Sequence, residues 1–76
     1  MTELLEFLAR ALVEDPGAVE VDEFEENGDL VYEISVADDD LGRVIGKGGR
    51  VANAIRAIAK AGAVRMERRV IVDILD

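Results

Sequence analysis

Seventy-six residues carry 17 acidic and nine basic side chains, a net charge of −8, with no cysteine and no histidine. Disulfides, thiol nucleophiles, the usual zinc sites and histidine acid–base chemistry are excluded. So short a chain has room for one core, so a single domain over residues 1–76 is expected, with no cofactor or metal.

The first residues lack the basic start and apolar run of a signal peptide, and no apolar stretch approaches the ~18 residues that span a bilayer. A soluble cytoplasmic protein without a membrane partner is expected. Residues 2–14 read as an amphipathic helix. Leu4, Leu5, Phe7, Leu8, Ala11 and Leu12 share one side, assigned to the core, and Glu3, Glu6, Arg10 and Glu14 the other. Thr2 is the expected N-cap, and Pro16-Gly17 the stop. Residues 18–26 and 29–37 read as strands joined at Asn27-Gly28, the signature of a two-residue turn with positive φ at both positions. That turn fixes a register in which Val21 faces Ile34, Val19 faces Val36 and Phe24 faces Val31. Leu30, Tyr32, Ile34 and Val36 then line the core face; Phe24 and Val31 lie opposite, beside Asp22 and Glu33.

Asp38-Asp39-Asp40 is expected to cap a short helix from Leu41 to Ile45. Consecutive carboxylates on a turn converge poorly, so a cap is favoured over a metal site. A further helix is expected from Arg50 to about Ala61, with Val51, Ala54, Ile55 and Ile58 inward and Arg50, Asn53, Arg56 and Lys60 outward. Gly62 is the expected stop and residues 63–65 a loop; a strand follows over 67–75. Two helices between the second and third strands favour a right-handed crossover and parallel pairing. The expected fold is α+β, ordered α-β-β-α-α-β, with a three-stranded mixed sheet and three helices on one face.

Charge is distributed unevenly. Residues 1–41 hold 14 acidic and one basic side chains, residues 42–69 eight basic and one acidic. The basic island centres on Val44-Ile45-Gly46-Lys47-Gly48-Gly49-Arg50. Local field decides where an anion docks, so an anionic ligand is expected there despite the net charge. A P-loop does not fit: three residues, not four, separate Gly42 from Gly46, and glycine follows Lys47 where a hydroxyl residue is needed. A dinucleotide fingerprint fails too, since the turn follows a helix, not a strand. A G-x-x-G turn between two helices does fit. Gly46 and Gly49 let a sugar–phosphate backbone touch the main chain, and the amides opening the next helix point at it.

The run Leu41-Gly42-Arg43-Val44-Ile45-Gly46-Lys47-Gly48-Gly49-Arg50, followed by Ala54-Ile55-Arg56, closely resembles the KH-domain signature. The element order resembles the type II arrangement, and the similarity covers essentially the whole chain, as in the small bacterial single-KH proteins of the KhpA type. The resemblance implies single-stranded RNA as partner, held in a groove between the two-helix unit and the last strand. It makes Gly46, Lys47, Gly48 and Gly49 the phosphate-contacting turn. Val44, Ile45, Val51 and Ile55 become the apolar side of the groove. Arg43 and Arg50 supply flanking charge, with Arg65, Arg68 and Arg69 as further candidates.

It also implies a low-specificity RNA chaperone or post-transcriptional regulator that forms a homodimer, or a heterodimer with another KH-containing protein. The competing reading is a KH-fold assembly module, dimerising or docking on ribosomal particles with little RNA binding of its own. No enzyme is expected: Ser35 lies in a strand and Thr2 at a helix start. Glycine at position 48 gives no side-chain contact, the groove lacks an aromatic residue, and the acidity predicts weak, salt-sensitive binding.

Overall fold

A computed structural model describes residues 1–75; Asp76, the last residue of the expected domain, lies outside the described residues. The elements are α1 (Thr2–Leu12), a 3-10 turn (Pro16–Ala18), β1 (Glu20–Glu26), β2 (Asp29–Ser35), a 3-10 turn (Asp38–Asp40), α2 (Leu41–Ile45), a 3-10 turn (Lys47–Gly49), α3 (Arg50–Met66) and β3 (Val70–Ile74). The sheet order is β1-β2-β3, with β1 antiparallel and β3 parallel to the central β2. This is the α+β, α-β-β-α-α-β arrangement of a type II KH fold.

The hairpin follows from its turn. Asn27 and Gly28 take φ of 53° and 84°, and every pairing from Glu20–Ser35 to Glu26–Asp29 keeps the register it imposes. Val19 and Val36 lie just beyond the paired strands, Val19 buried and Val36 half-buried. Leu30, Tyr32 and Ile34 point into the core with Val72 of β3, against Leu5 and Ala9 of α1, Val44 of α2, and Ile55 and Ala59 of α3. Each buried Leu, Ile or Val contributes about 1.5–3 kcal/mol, so these contacts fix where α2 and α3 sit.

Several local expectations change. Thr2 is the first helical residue, not the cap; its Oγ1 donates to Glu23 Oε2 at 3.0 Å and ties α1 to β1. α1 ends at Leu12, before Pro16-Gly17, and only Leu5 and Ala9 of its apolar side are fully buried. Leu4 and Phe7 are exposed, Phe7 by 68 %.

α3 does not stop at Gly62. It runs through residues 63–65 to Met66 and is capped by Glu67 in the left-handed region. A glycine inside a helix costs about 1 kcal/mol relative to alanine. Here the bare Cα accommodates Met1, whose Cε would lie 2.5 Å from any added Cβ, and buried Ala63 anchors the extra turn. α3 is also rotated from the expected face: Ala52, Ile55, Ala59 and Ala63 are buried, while Ala54 and Ile58 are exposed.

Asp40 is buried but makes no side-chain cap bond to α2. Its Oδ1 and Oδ2 accept the amides of Glu14 and Asp15 at 3.0 and 3.1 Å. The carboxylate therefore clamps the segment after α1 to the start of α2, two elements the sequence separates by some 25 residues. A short polar side chain satisfies whichever donors reach it first, and here those are across the fold, not along its own helix.

Tyr32 is buried, and its hydroxyl donates to Glu23 Oε1 at 3.2 Å. Burial, then the Glu23 charge and hydrogen bond, raise its pKa above the ordinary 10, with Arg68 opposing. A raised folded pKa means stability that is complete below the unfolded value and lost as pH climbs past it. Wild type should therefore lose stability above about pH 10 more steeply than Tyr32→Phe, measured as urea midpoints between pH 8 and 11. Parallel curves would show that the phenol is not held neutral by the fold.

Candidate nucleic-acid interface

α2 and α3 meet at a corner made by Gly46-Lys47-Gly48-Gly49. α2 is pinned by Val44, which is fully buried, and α3 by Ala52 and Ile55. Between them the chain must reverse within four residues. Gly46 takes φ 77°, ψ 170°, a region only glycine enters freely. A Cβ there would lie 2.5 Å from Val51 Cγ2 and 2.8 Å from the Val51 amide nitrogen. Gly48 takes φ 65°, ψ 19°, but faces open space, with no atom within 4 Å of where a Cβ would stand. So Gly46 is required by packing inside the corner, and Gly48 leaves bare main chain facing outward.

The corner closes on itself. The Gly46 amide donates to Gly42 O at 2.8 Å, the Gly49 amide to Gly46 O at 3.1 Å and the Arg50 amide to Lys47 O. The amides of Gly49 and Arg50 are thus spent inside the turn, contrary to the expectation that the helix start offers all its donors. The positive end of the α3 dipole still faces the turn. Lys47 and Arg50 are exposed, and among the described residues neither pairs with a carboxylate.

The other expected site residues divide. Ile45 and Val51 flank the turn and are half-buried. Val44 and Ile55 are core residues; the apolar wall expected from them faces inward. Arg43 is half-exposed, but Nη2 meets Glu14 Oε1 at 2.8 Å and Nε meets Asp40 Oδ1 at 3.4 Å. Such a surface pair is worth under about 1 kcal/mol, so Arg43 can exchange Glu14 for another anion. Arg68 meets Glu25 at 3.1 Å and donates to Gly28 O at 3.1 Å, tying the start of β3 to the hairpin. Arg69 lies 3.8 Å from Asp29, and Arg65 is exposed.

A groove of about 740 Å³ runs between α3 and β3. Arg56, Lys60 and Val64 line its helix side, and Val70, Val72 and Asp73 its strand side. Gly46–Gly49 are not among its walls, so the turn and the groove are adjacent surfaces flanking α3. Arg56 crosses the groove: Nε donates to Val72 O at 3.3 Å, and Nη1 to Asn53 Oδ1 at 3.3 Å. Sequence reasoning expected a groove between the two-helix unit and the last strand, but it put Arg56 and Lys60 on an outward face and left them out of the lining. The available signal was the crossover, which lays one flank of α3, spaced 53, 56, 60 and 64, beside the β3 edge. No helix among the described residues is long and apolar enough to cross a membrane.

Comparison with known proteins gives concordant results. The family model described as "KhpA/KhpB, KH domain" matches residues 2–74. A protein named "RNA-binding protein KhpA" from Caldanaerobacter subterraneus is 48 % identical over 75 residues, covering 99 % of this chain and all of the relative. A protein of the same name from Halalkalibacterium halodurans is 46 % identical over 76 residues, covering both chains fully, and one from Clostridium acetobutylicum is 45 % identical over 75.

The two glycines make different predictions. Gly46→Ala should cost about 3 kcal/mol or more, because strain and overpacking coincide. Gly48→Ala should cost only about 1–2 kcal/mol, the left-handed penalty alone. Urea denaturation checks this; equal losses would contradict the packing role given to Gly46.

Proposed function

We propose that this chain, which belongs to the KhpA/KhpB KH-domain family, binds single-stranded RNA and is not an enzyme, with Gly46–Gly49 as the backbone clamp. The observation that carries the reading is the corner itself. Main chain is bare at Gly48, exposed cations stand on both sides at Lys47 and Arg50, and the α3 dipole points at the same place. A phosphate brought there meets positive potential with no side chain in the way. Relatives named as RNA-binding proteins along their full length support it.

Bases leaving the turn meet Ile45 and Val51, then the groove between α3 and β3. Val44 and Ile55 act from within, by holding the two helices at the corner. Arg43 contributes once its pairing with Glu14 is exchanged. Without an aromatic platform each base gains little, and the acidic remainder of the protein opposes approach, so binding is weak, low in specificity and steeply salt-dependent. That profile suits a cytoplasmic RNA chaperone or post-transcriptional regulator better than a sequence-specific reader.

The test is titration of a short unstructured RNA at low and moderate salt. Wild type should bind at low salt and weaken severalfold or more as salt rises. Replacing Lys47 and Gly48 together by aspartate should abolish binding while circular dichroism stays native. Unchanged binding by that variant would refute the clamp.

One observation favours assembly as a second activity. Leu4 and Phe7 on α1 and Ile58 on α3 are exposed large apolar residues, on flanks that adjoin where Met1 packs over Gly62. Isolated exposed apolar residues are ordinary, whereas adjoining ones mark contact surfaces. We propose that this strip pairs two KH domains, as a homodimer or with another KH-containing protein. Sedimentation of wild type should then show concentration-dependent association that Ile58→Asp abolishes; a monomer at every concentration would rule out the homodimer.

A further inference from the structure

All three helices pack on one face of the sheet, and the other face is uncovered. Strand register lays its residues out in rows. Phe24, Val31 and Ile71 form one row across β1, β2 and β3, and Asp22, Glu33 and Asp73 form the next. Val31 is 3 % exposed although no helix covers it; its neighbours in the row are Phe24, which remains exposed, and half-buried Ile71. The face therefore carries an apolar row beside a row of three carboxylates.

Like charges directly opposite one another across strands are destabilising. The outer-face cation present, Arg69, lies two rows from them, near Asp29 at 3.8 Å. The three carboxylates form no cluster that could hold a metal ion among the described residues. The row thus costs stability and gains no internal partner. RNA cannot be the occupant, since this face repels polyanions and the exposed cations Lys47 and Arg50 flank the corner of α2 and α3, on the covered side of the sheet. A second copy is disfavoured: its basic corner would have to meet this face head to tail, an arrangement that does not close into a dimer.

We propose that the uncovered sheet face docks a lysine- or arginine-rich segment of a partner protein, seated by an aliphatic side chain on the Phe24–Val31–Ile71 row and held by the Asp22–Glu33–Asp73 row. Opposite potentials steer the segment to this face, and the apolar row fixes its register. The basic corner stays free for a phosphate backbone, whereas Ile71 and Asp73 also line the groove between α3 and β3, so bases seated in that groove compete with the segment at the β3 edge. The proposal stands whether or not the corner binds RNA.

The experiment uses the full chain, labelled with nitrogen-15. The probe is a ten-residue lysine–glycine peptide with one central leucine; controls replace the leucine by glycine, or the lysines by glutamate. The expected result is amide shifts confined to β1, β2 and β3 on adding the probe. The leucine-free control should bind severalfold more weakly, and the glutamate control not at all. The variant Asp22→Asn, Glu33→Gln, Asp73→Asn should weaken the probe roughly tenfold and melt no lower than wild type, since it removes repulsion. The proposal is overturned if the probe shifts amides on α1 or the corner instead, if the triple variant binds it equally well, or if the sheet amides shift with protein concentration alone, which would identify a second copy as occupant.

Discussion

The molecule depends on a backbone-to-side-chain contact at Gly46. The main chain there lies so close to Val51 that no side-chain carbon fits between them. That contact sets the angle between α2 and α3. Glycine adopts this conformation freely, and it is fixed because both helices are held elsewhere: α2 by buried Val44, α3 by Ala52 and Ile55. The Asp40 clamp adds a third restraint by fastening the start of α2 to the segment after α1. The corner is thus a rigid presentation of main chain, fixed by the core behind it. Rigidity is useful for holding a backbone, because little freedom is lost on binding.

Charge then decides which side of the molecule does what. The net charge of −8 would repel a polyanion at long range. Screening confines interactions between exposed charges to roughly 8 Å at physiological salt, so an anion near the corner responds to Lys47, Arg50 and the α3 dipole. Across the sheet the sign reverses. The fold thereby separates two surfaces of opposite potential on opposite sides of one small core. Arg43 and Arg68, unlike Lys47 and Arg50, are already paired, with Glu14 and Glu25.

Much of this was legible in the sequence, for identifiable reasons. Asn27-Gly28 admits essentially one hairpin geometry, and a two-residue turn leaves the register no freedom. Two helices between strands force a crossover, and handedness then gives the parallel pair. The glycine turn was legible because its spacing excludes the other phosphate loops. Sequence reasoning failed where a residue's surroundings come from another part of the chain. Asp40 looks like a cap until Glu14 and Asp15 arrive with free amides. Gly62 looks like a stop until Met1 fills the space above it. The buried side of α3 was misread because it is made of Ala52, Ala59 and Ala63. Small residues let the helix sit close to the sheet, leaving the larger Ile58 at the margin. Hydrophobic periodicity follows side-chain size and points to the wrong flank. Val44 and Ile55 were assigned to a ligand surface by resemblance alone, and the fold buries both among residues distant in sequence.

The central claim is that RNA meets the protein at bare main chain in the α2–α3 corner. Photocrosslinking of a short unstructured RNA to the full chain, with the modified residues mapped by mass spectrometry, tests it most directly. Adducts should concentrate between residues 43 and 51 and extend to the α3 flank that carries Arg56 and Lys60. Adducts concentrated on the uncovered sheet face or on α1, with none at the corner, would contradict it.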